Sequence, residues 1–203
     1  MPIRKGEDWG TEAPLPDDAV EVRSDAEARA IVTAALRAGE PPPPLALLGG
    51  DLARAVGSTG DPARLRRGTT RHLPLDVGQV DVDGARHWFV AHLVVRRRLW
   101  QGRFSAVMNT EYLGDWKLAP RAHPGDGLLD VLDGRLSLDD RLKARSRVGR
   151  GEHLPHPGID VRRVPDLDVT LARPTTVRLD GESVGVGRVL SVRVLPDAVV
   201  GII

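Results

Sequence analysis

From Asn109 to Asp130 the chain runs NTEYLGDWKLAPRAHPGDGLLD. Asn109, Gly114, Pro120, Pro124, Gly125, Asp126 and Gly127 crowd into this stretch. An ordinary turn needs only one or two such residues. The segment therefore reads as a strand end, a tight loop, a Leu-Ala-Pro exit and a second turn, with Leu128 and Leu129 opening the next strand. No single regular element can run through it.

The residues on either side carry a β pattern that begins near Leu73. Val77, Val80 and Val82 lead into Asp83-Gly84, a strong two-residue hairpin signal, and Trp88, Val90 and Val94 return from it. Further strands are predicted near 103–109, 128–133, 159–164, 167–172, 175–179, 188–195 and 198–203. One helix interrupts them, capped by Ser137 or Asp139, with Leu142 and Val148 facing inward and an end near Gly149 or Gly151. Strands at this spacing argue for a β-sandwich.

The N-terminal third reads differently. Residues 1–22 are rich in proline, glycine and acids and read as an irregular arm. Ser24 and Glu27 stand at capping-box spacing. Ala28, Ile31, Val32, Ala35 and Leu36 form one apolar stripe, and Gly39 is a natural stop. Four prolines, 41–44, impose an extended linker. Leu45 to Leu48 read as a short buried strand, and a second helix is expected around Leu52 to Val56. The expected class is α+β, mostly β: an antiparallel β-sandwich over 71–203, a small α/β unit over 23–70, and the arm.

Composition narrows the function classes. The 203 residues carry a formal net charge of +1, which gives no global attraction to nucleic acid or anionic lipid. Aromatic residues are 3% of the chain, too few for a base-stacking surface. There is no cysteine, which excludes disulfides, thiolate metal sites and cysteine nucleophiles. No apolar run has the length of a membrane span, and the N-terminus has no signal-like stretch, so a cytoplasmic protein is expected. Basic residues cluster at Arg96-Arg97-Arg98 and at Arg141, Lys143, Arg145, Arg147 and Arg150. The second set reads as a solvated helix face, or as a surface for peripheral contact with anionic lipid. His72, His92, His123 and His153 show no metal-ligand spacing, and His153 reads as a structural histidine.

Several of these residues fall on a known pattern. Asn109, Tyr112, Gly114, Ala119-Pro120, Ala122 and Asp126 to Asp130, followed later by Gly151-x-His153 and Asp180-Gly181-Glu182, resemble the C-terminal β domain of the diacylglycerol kinase, sphingosine kinase and YegS-type lipid kinases. Upstream, Asp51-Leu52-Ala53-Arg54 resembles the family's Asn-Asp-Phe-Ala-Arg, and Asp76-Val77-Gly78 resembles the strand that opens the β domain. The resemblance implies a nucleotide-binding α/β domain completed by a β-sandwich, with Mg²⁺ and ATP as cofactors.

The departures from that pattern matter as much. The family cradles ATP phosphates with a Gly-Gly-Asp-Gly-Thr loop, whose bare backbone lets N–H groups approach the anion. Here the corresponding place reads Arg23-Ser24-Asp25-Ala26-Glu27; the glycines are gone, and Glu27 brings negative charge. The second loop is shortened to Gly49-Gly50-Asp51. The family's long helical segment between Trp88 and Asn109 is replaced by a short crossing.

Each candidate site residue has two readings. In the resemblance Asp180 is the general base, with Glu182 beside it; on its own, Asp-Gly is a hairpin turn and Glu182 a solvated strand residue. Asp126 could hold a divalent cation with neighbouring carbonyls, or satisfy backbone N–H groups in its turn. Gly49, Gly50 and Asp51 could hold a nucleotide phosphate, or Asp51 could be a helix N-cap. The eroded loops favour a non-catalytic binding or regulatory module with no cofactor. Its partner would be a small molecule or lipid, a second copy through exposed sheet edges, or a kinase paralogue. The alternative is an active ATP-dependent kinase for a lipid or other hydroxyl acceptor, with Asp180 as base and a partner chain supplying the nucleotide domain.

Overall fold

The computed structural model describes residues 9–97 and 100–203. Arg98, one member of the basic triplet, and the first eight residues lie outside the described residues. Residues 9–22, which read as an irregular arm, contribute two short strands, β1 (Thr11–Ala13) and β2 (Val20–Val22). Helix α1 (Asp25–Ala38) follows, then β3 (Leu45–Leu47), α2 (Asp51–Ala55) and α3 (Pro62–Leu65). The β region comprises β4 (Thr70–Val82), β5 (Ala85–Phe89), β6 (His92–Val95), β7 (Arg103–Met108) and β8 (Leu129–Arg135). Helix α4 (Leu138–Arg147) interrupts it before β9 (Ile159–Val164), β10 (Asp166–Leu179) and β11 (Glu182–Ile202).

The strands form one continuous eleven-stranded sheet, in the order β1-β4-β11-β10-β6-β7-β8-β9 along its main path. The sheet folds over itself. Val80 and Leu190 on one side and Leu93, Val107 and Val131 on the other share one buried cluster, so the fold is a mostly antiparallel β-sandwich. The parallel β2–α1–β3 unit joins it through Gly201↔Leu45 and Ile202↔Ala46. Ala28 and Val32 of α1 pack there against Leu45, Leu47, Leu75 and Val77.

Local chemistry accounts for these elements. Ser24 Oγ accepts the Glu27 N–H at 3.2 Å, and the Glu27 carboxylate accepts the Arg23 N–H at 2.7 Å, one residue before the usual capping-box partner. Both two-residue hairpins are Asp-Gly with left-handed backbone at each position: Asp83 and Gly84 at φ 47° and 90°, Asp180 and Gly181 at φ 50° and 85°. That geometry matches the right-handed twist of the flanking strands. Segments expected as separate strands fuse. A register shift between Thr170 and Thr175 joins the two halves of β10, and one between Leu195 and Val199 joins those of β11.

Helix α4 departs from expectation. Ser137 caps it, its Oγ accepting from the Asp140 N–H at 3.1 Å, but Leu142 is 68% exposed and Leu138 is 71% exposed. Its only large aliphatic residues, Leu138 and Leu142, are four apart, too narrow a stripe to seal against a sheet. Val148, just beyond the helix, is the residue that packs inward.

Candidate functional site

Asp180 stands at the turn between β10 and β11, and its side chain is fully buried. Its carboxylate accepts three backbone N–H groups, from Val90 at 2.9 Å, Ala91 at 2.9 Å and His92 at 3.0 Å. Its own N–H donates to the His92 carbonyl at 2.9 Å. Burial pushes the Asp180 carboxyl above the usual range, while nearby His92 and the three amides oppose that rise. Glu182 opens β11, mostly in solvent, and pairs with Arg29 of α1. The same guanidinium lies 3.9 Å from Asp180. Asp180 is thus a hairpin residue and a buried anchor at once.

A second carboxylate meets this anchor from α2. The sequence suggests Asp51 as an N-cap, but the structure assigns that position to Gly50, and Asp51 is the first helical residue. Asp25 of α1 caps α2 instead, accepting from Asp51 N–H at 2.7 Å and Leu52 N–H at 3.0 Å. The displaced Asp51 carboxylate accepts from Gly114 N–H at 2.8 Å and lies 3.2 Å from His92 Nε2. Gly49 and Gly50 admit this packing. A Cβ on Gly49 would sit 2.4 Å from the Arg23 carbonyl, and one on Gly50 2.5 Å from Asp25 Oδ1. The glycine pair makes room for the α1 turn.

Asp25, Asp51, His92 and Asp180 therefore share one buried cluster, joined by Arg29. Burial raises the Asp25 pKa to about 6, helped by Asp180 and Asp51 and opposed by the two amides it accepts from. Burial works against protonated His92, but the Asp51 contact and the surrounding carboxylates outweigh it and lift its pKa. One donor atom each from Asp25, Asp51 and His92 lies within 4.8 Å of the others. One imidazole and two carboxylates at that spacing suit a divalent cation. Histidine spacing alone conceals this group, because its other members are aspartates more than forty residues away.

The Asn109–Asp130 loop touches this cluster through Gly114 and builds a further network of its own. Asn109 is fully buried, and its Nδ2 donates to the carbonyls of Asp76 at 2.9 Å and Val90 at 2.7 Å. Asp76 accepts from Gly127 N–H at 2.7 Å and Asp197 N–H at 3.0 Å; burial lifts its pKa to about 6 against the Gly127 bond. Asp126 accepts from Leu128 N–H at 3.0 Å, which closes its turn, and its other oxygen pairs with Arg163. Arg163 also reaches Asp130 at 3.1 Å. Both Asp126 oxygens are thus engaged within the protein, and neither Asp126 nor Asp76 contacts the Asp180 cluster.

A third feature lies beneath α4. A cavity of about 440 Å³ is walled by Trp100, Phe104, Trp116, Leu118 and Ile159, with Arg141 and Arg145 among its lining residues. No helix among the described residues is long and apolar enough to cross a membrane.

Comparison with known proteins agrees with the fold. Residues 70–202 match the family described as the YegS C-terminal NAD kinase beta sandwich-like domain. No curated protein sequence matches the chain. The fold is similar to that of a protein from Bacillus anthracis str. Sterne proposed to be a diacylglycerol kinase, with TM-score 0.69 at 14% identity, covering 91% of this chain and 77% of that one. It is similar as well to a crystal structure of a diacylglycerol kinase from the same organism, with TM-score 0.68 at 14% identity, covering 91% and 75%.

Proposed function

The chain belongs to the YegS C-terminal NAD kinase beta sandwich-like domain family, and we propose that within it this protein is a lipid kinase-related binding or regulatory module that does not itself transfer phosphate. The observation that carries the reading is the closure of α2 by Asp25. Phosphoryl transfer depends on positioning and on electrostatic stabilisation by donors aimed at the phosphates. The Asp51 and Leu52 amides, which follow the glycine pair, are already taken by a carboxylate. At the start of α1, Ser24 and Glu27 take the Glu27 and Arg23 amides in the same way. Asp180, the base in the resemblance, spends its carboxylate on three amides.

The cavity beneath α4 supports a binding role. Its apolar walls and arginines suit the chain and headgroup of an anionic amphiphile. The test is phosphate transfer from Mg-ATP to diacylglycerol in mixed micelles. The expected result is none above buffer, alone or with a full-length kinase paralogue that has been inactivated. Turnover abolished by Asp180→Asn would refute the reading.

One observation favours catalysis. Asp25, Asp180 and His92, all with raised pKa, gather at one place, as acid–base groups do in active sites. On this second reading Asp180 is the base, Mg-ATP the donor and another chain the source of the phosphate cradle. Turnover that appears only with such a partner would select it.

A further inference from the structure

The core between the two layers runs out at the end of β6 and β7 remote from Asp180, and there the inward positions turn from aliphatic to arginine. On β7 the series Val107, Ser105, Arg103 alternates with Phe104 and Ala106 of the opposite face. On β8 the matching series is Val131, Asp133, Arg135. Opposite them, β10 parts from β6, because that pairing is confined to Val177–Leu179 against Leu93–Val95. The bulged stretch of β10 supplies Arg173, β11 supplies Arg188, and Arg97 follows β6. Together these five arginines border a cavity of about 580 Å³ with Val95, Phe104, Val169 and Leu171 in its walls.

Three facts mark this cleft as more than a solvated charged surface. First, Arg103 and Arg135 are direct cross-strand partners, an arrangement of like charges that destabilises a sheet. Second, the one acid lining the cleft, Asp133, is paired with Arg162, and among the described residues none of the five guanidinium groups has a hydrogen-bond or ion-pair partner. Third, Ser105 lines the cavity at 5% exposure, and its hydroxyl is buried without a hydrogen-bond partner. A buried donor left unsatisfied is costly. A bound acceptor oxygen would relieve both the hydroxyl and the opposed arginines.

We propose that this cleft binds a compact anion carrying two or more phosphate groups. Five planar guanidinium groups, exposed and bordering one open cleft, suit bidentate contact with phosphate oxygens. The volume of about 580 Å³ suits a small molecule. The site is distinct from the Asp180 cluster, which lies at the His92 and Met108 ends of the same two strands.

Calorimetric titration of the whole chain with sodium tripolyphosphate, without magnesium, tests the proposal. The expected result is saturable one-to-one binding that weakens as salt is raised. Arg103→Gln with Arg135→Gln should weaken binding at least tenfold, and Arg37→Gln on α1 should leave it unchanged. The double variant without ligand should melt no lower than the parent, since a repulsive pair has been removed. Absence of saturable heat, equal loss in Arg37→Gln, or a lower melt of the double variant would each overturn the proposal. So would binding to phosphatidic acid vesicles without binding to tripolyphosphate, which would make the patch a membrane surface.

Discussion

Replacing Asp180 with asparagine tests how far that residue is a structural anchor. The carboxylate faces three N–H donors, two on Oδ1 and one on Oδ2. An amide can present its oxygen to Ala91 and His92, but its NH₂ then points at the Val90 N–H, donor against donor. Hydrogen bonds to a charged group contribute about 1.5–3 kcal/mol each, and an unsatisfied buried donor costs about 1–3 kcal/mol. Removing a buried charge returns part of this, because burial already strains the ionised form. The net expectation is a loss of about 2–4 kcal/mol, or roughly 5–15 °C in Tm for a chain of this size. Urea unfolding followed by circular dichroism measures it, with Glu182→Gln as the control expected to lose no more than about 1 kcal/mol at an exposed pair. A loss below about 0.5 kcal/mol in Asp180→Asn would refute the anchor and return the carboxylate to a purely catalytic account.

Two further predictions concern the buried titratable groups and the glycine pair. Asp25 and Asp76 have folded-state pKa values near 6 against 3.8 unfolded. Between those values the native state holds protons the unfolded chain has released, so their contribution to stability is present near pH 4 and lost by about pH 6 to 7. His92, raised above 6.5, acts in the same direction at higher pH. Urea midpoints should therefore fall from pH 4.5 to pH 8, and a midpoint that rises over that interval would contradict the assignments. Gly50→Ala combines φ 98° with a Cβ 2.5 Å from Asp25 Oδ1; it should cost about 2 kcal/mol or more and lower Tm. A Tm unchanged within 1 °C or so would contradict the close packing of α1 on the glycine pair.

Local signals carried much of the fold. The Asp-Gly hairpins, the Ser24 cap, the Gly39 stop and the turns between Asn109 and Asp130 each depend on neighbours in sequence, and each stands where the sequence places it. β1 and β2 were hidden because three residues of strand have no readable period and exist only through pairing with β4 and β3. Leu142 misled because a leucine in a helix says nothing about whether a surface waits beneath it. The site was less legible than the fold. Asp180, Glu182 and Asp51 stood out by motif. Asp25, Arg29 and His92 did not, since their roles arise from contacts across 26 to 153 residues of chain. Asp51 looked like a cap because the residue that does the capping arrives from another helix.

Calorimetric titration with ATP and magnesium bears most directly on the central claim that the amides at the starts of α1 and α2 are closed to nucleotide by the protein's own side chains. With the arginine cleft disabled by Arg103→Gln and Arg135→Gln, the closed geometry predicts no saturable heat up to millimolar nucleotide, with or without Asp180→Asn. Saturable one-to-one binding below that range, weakened by substitutions at Gly49 or Gly50, would contradict it.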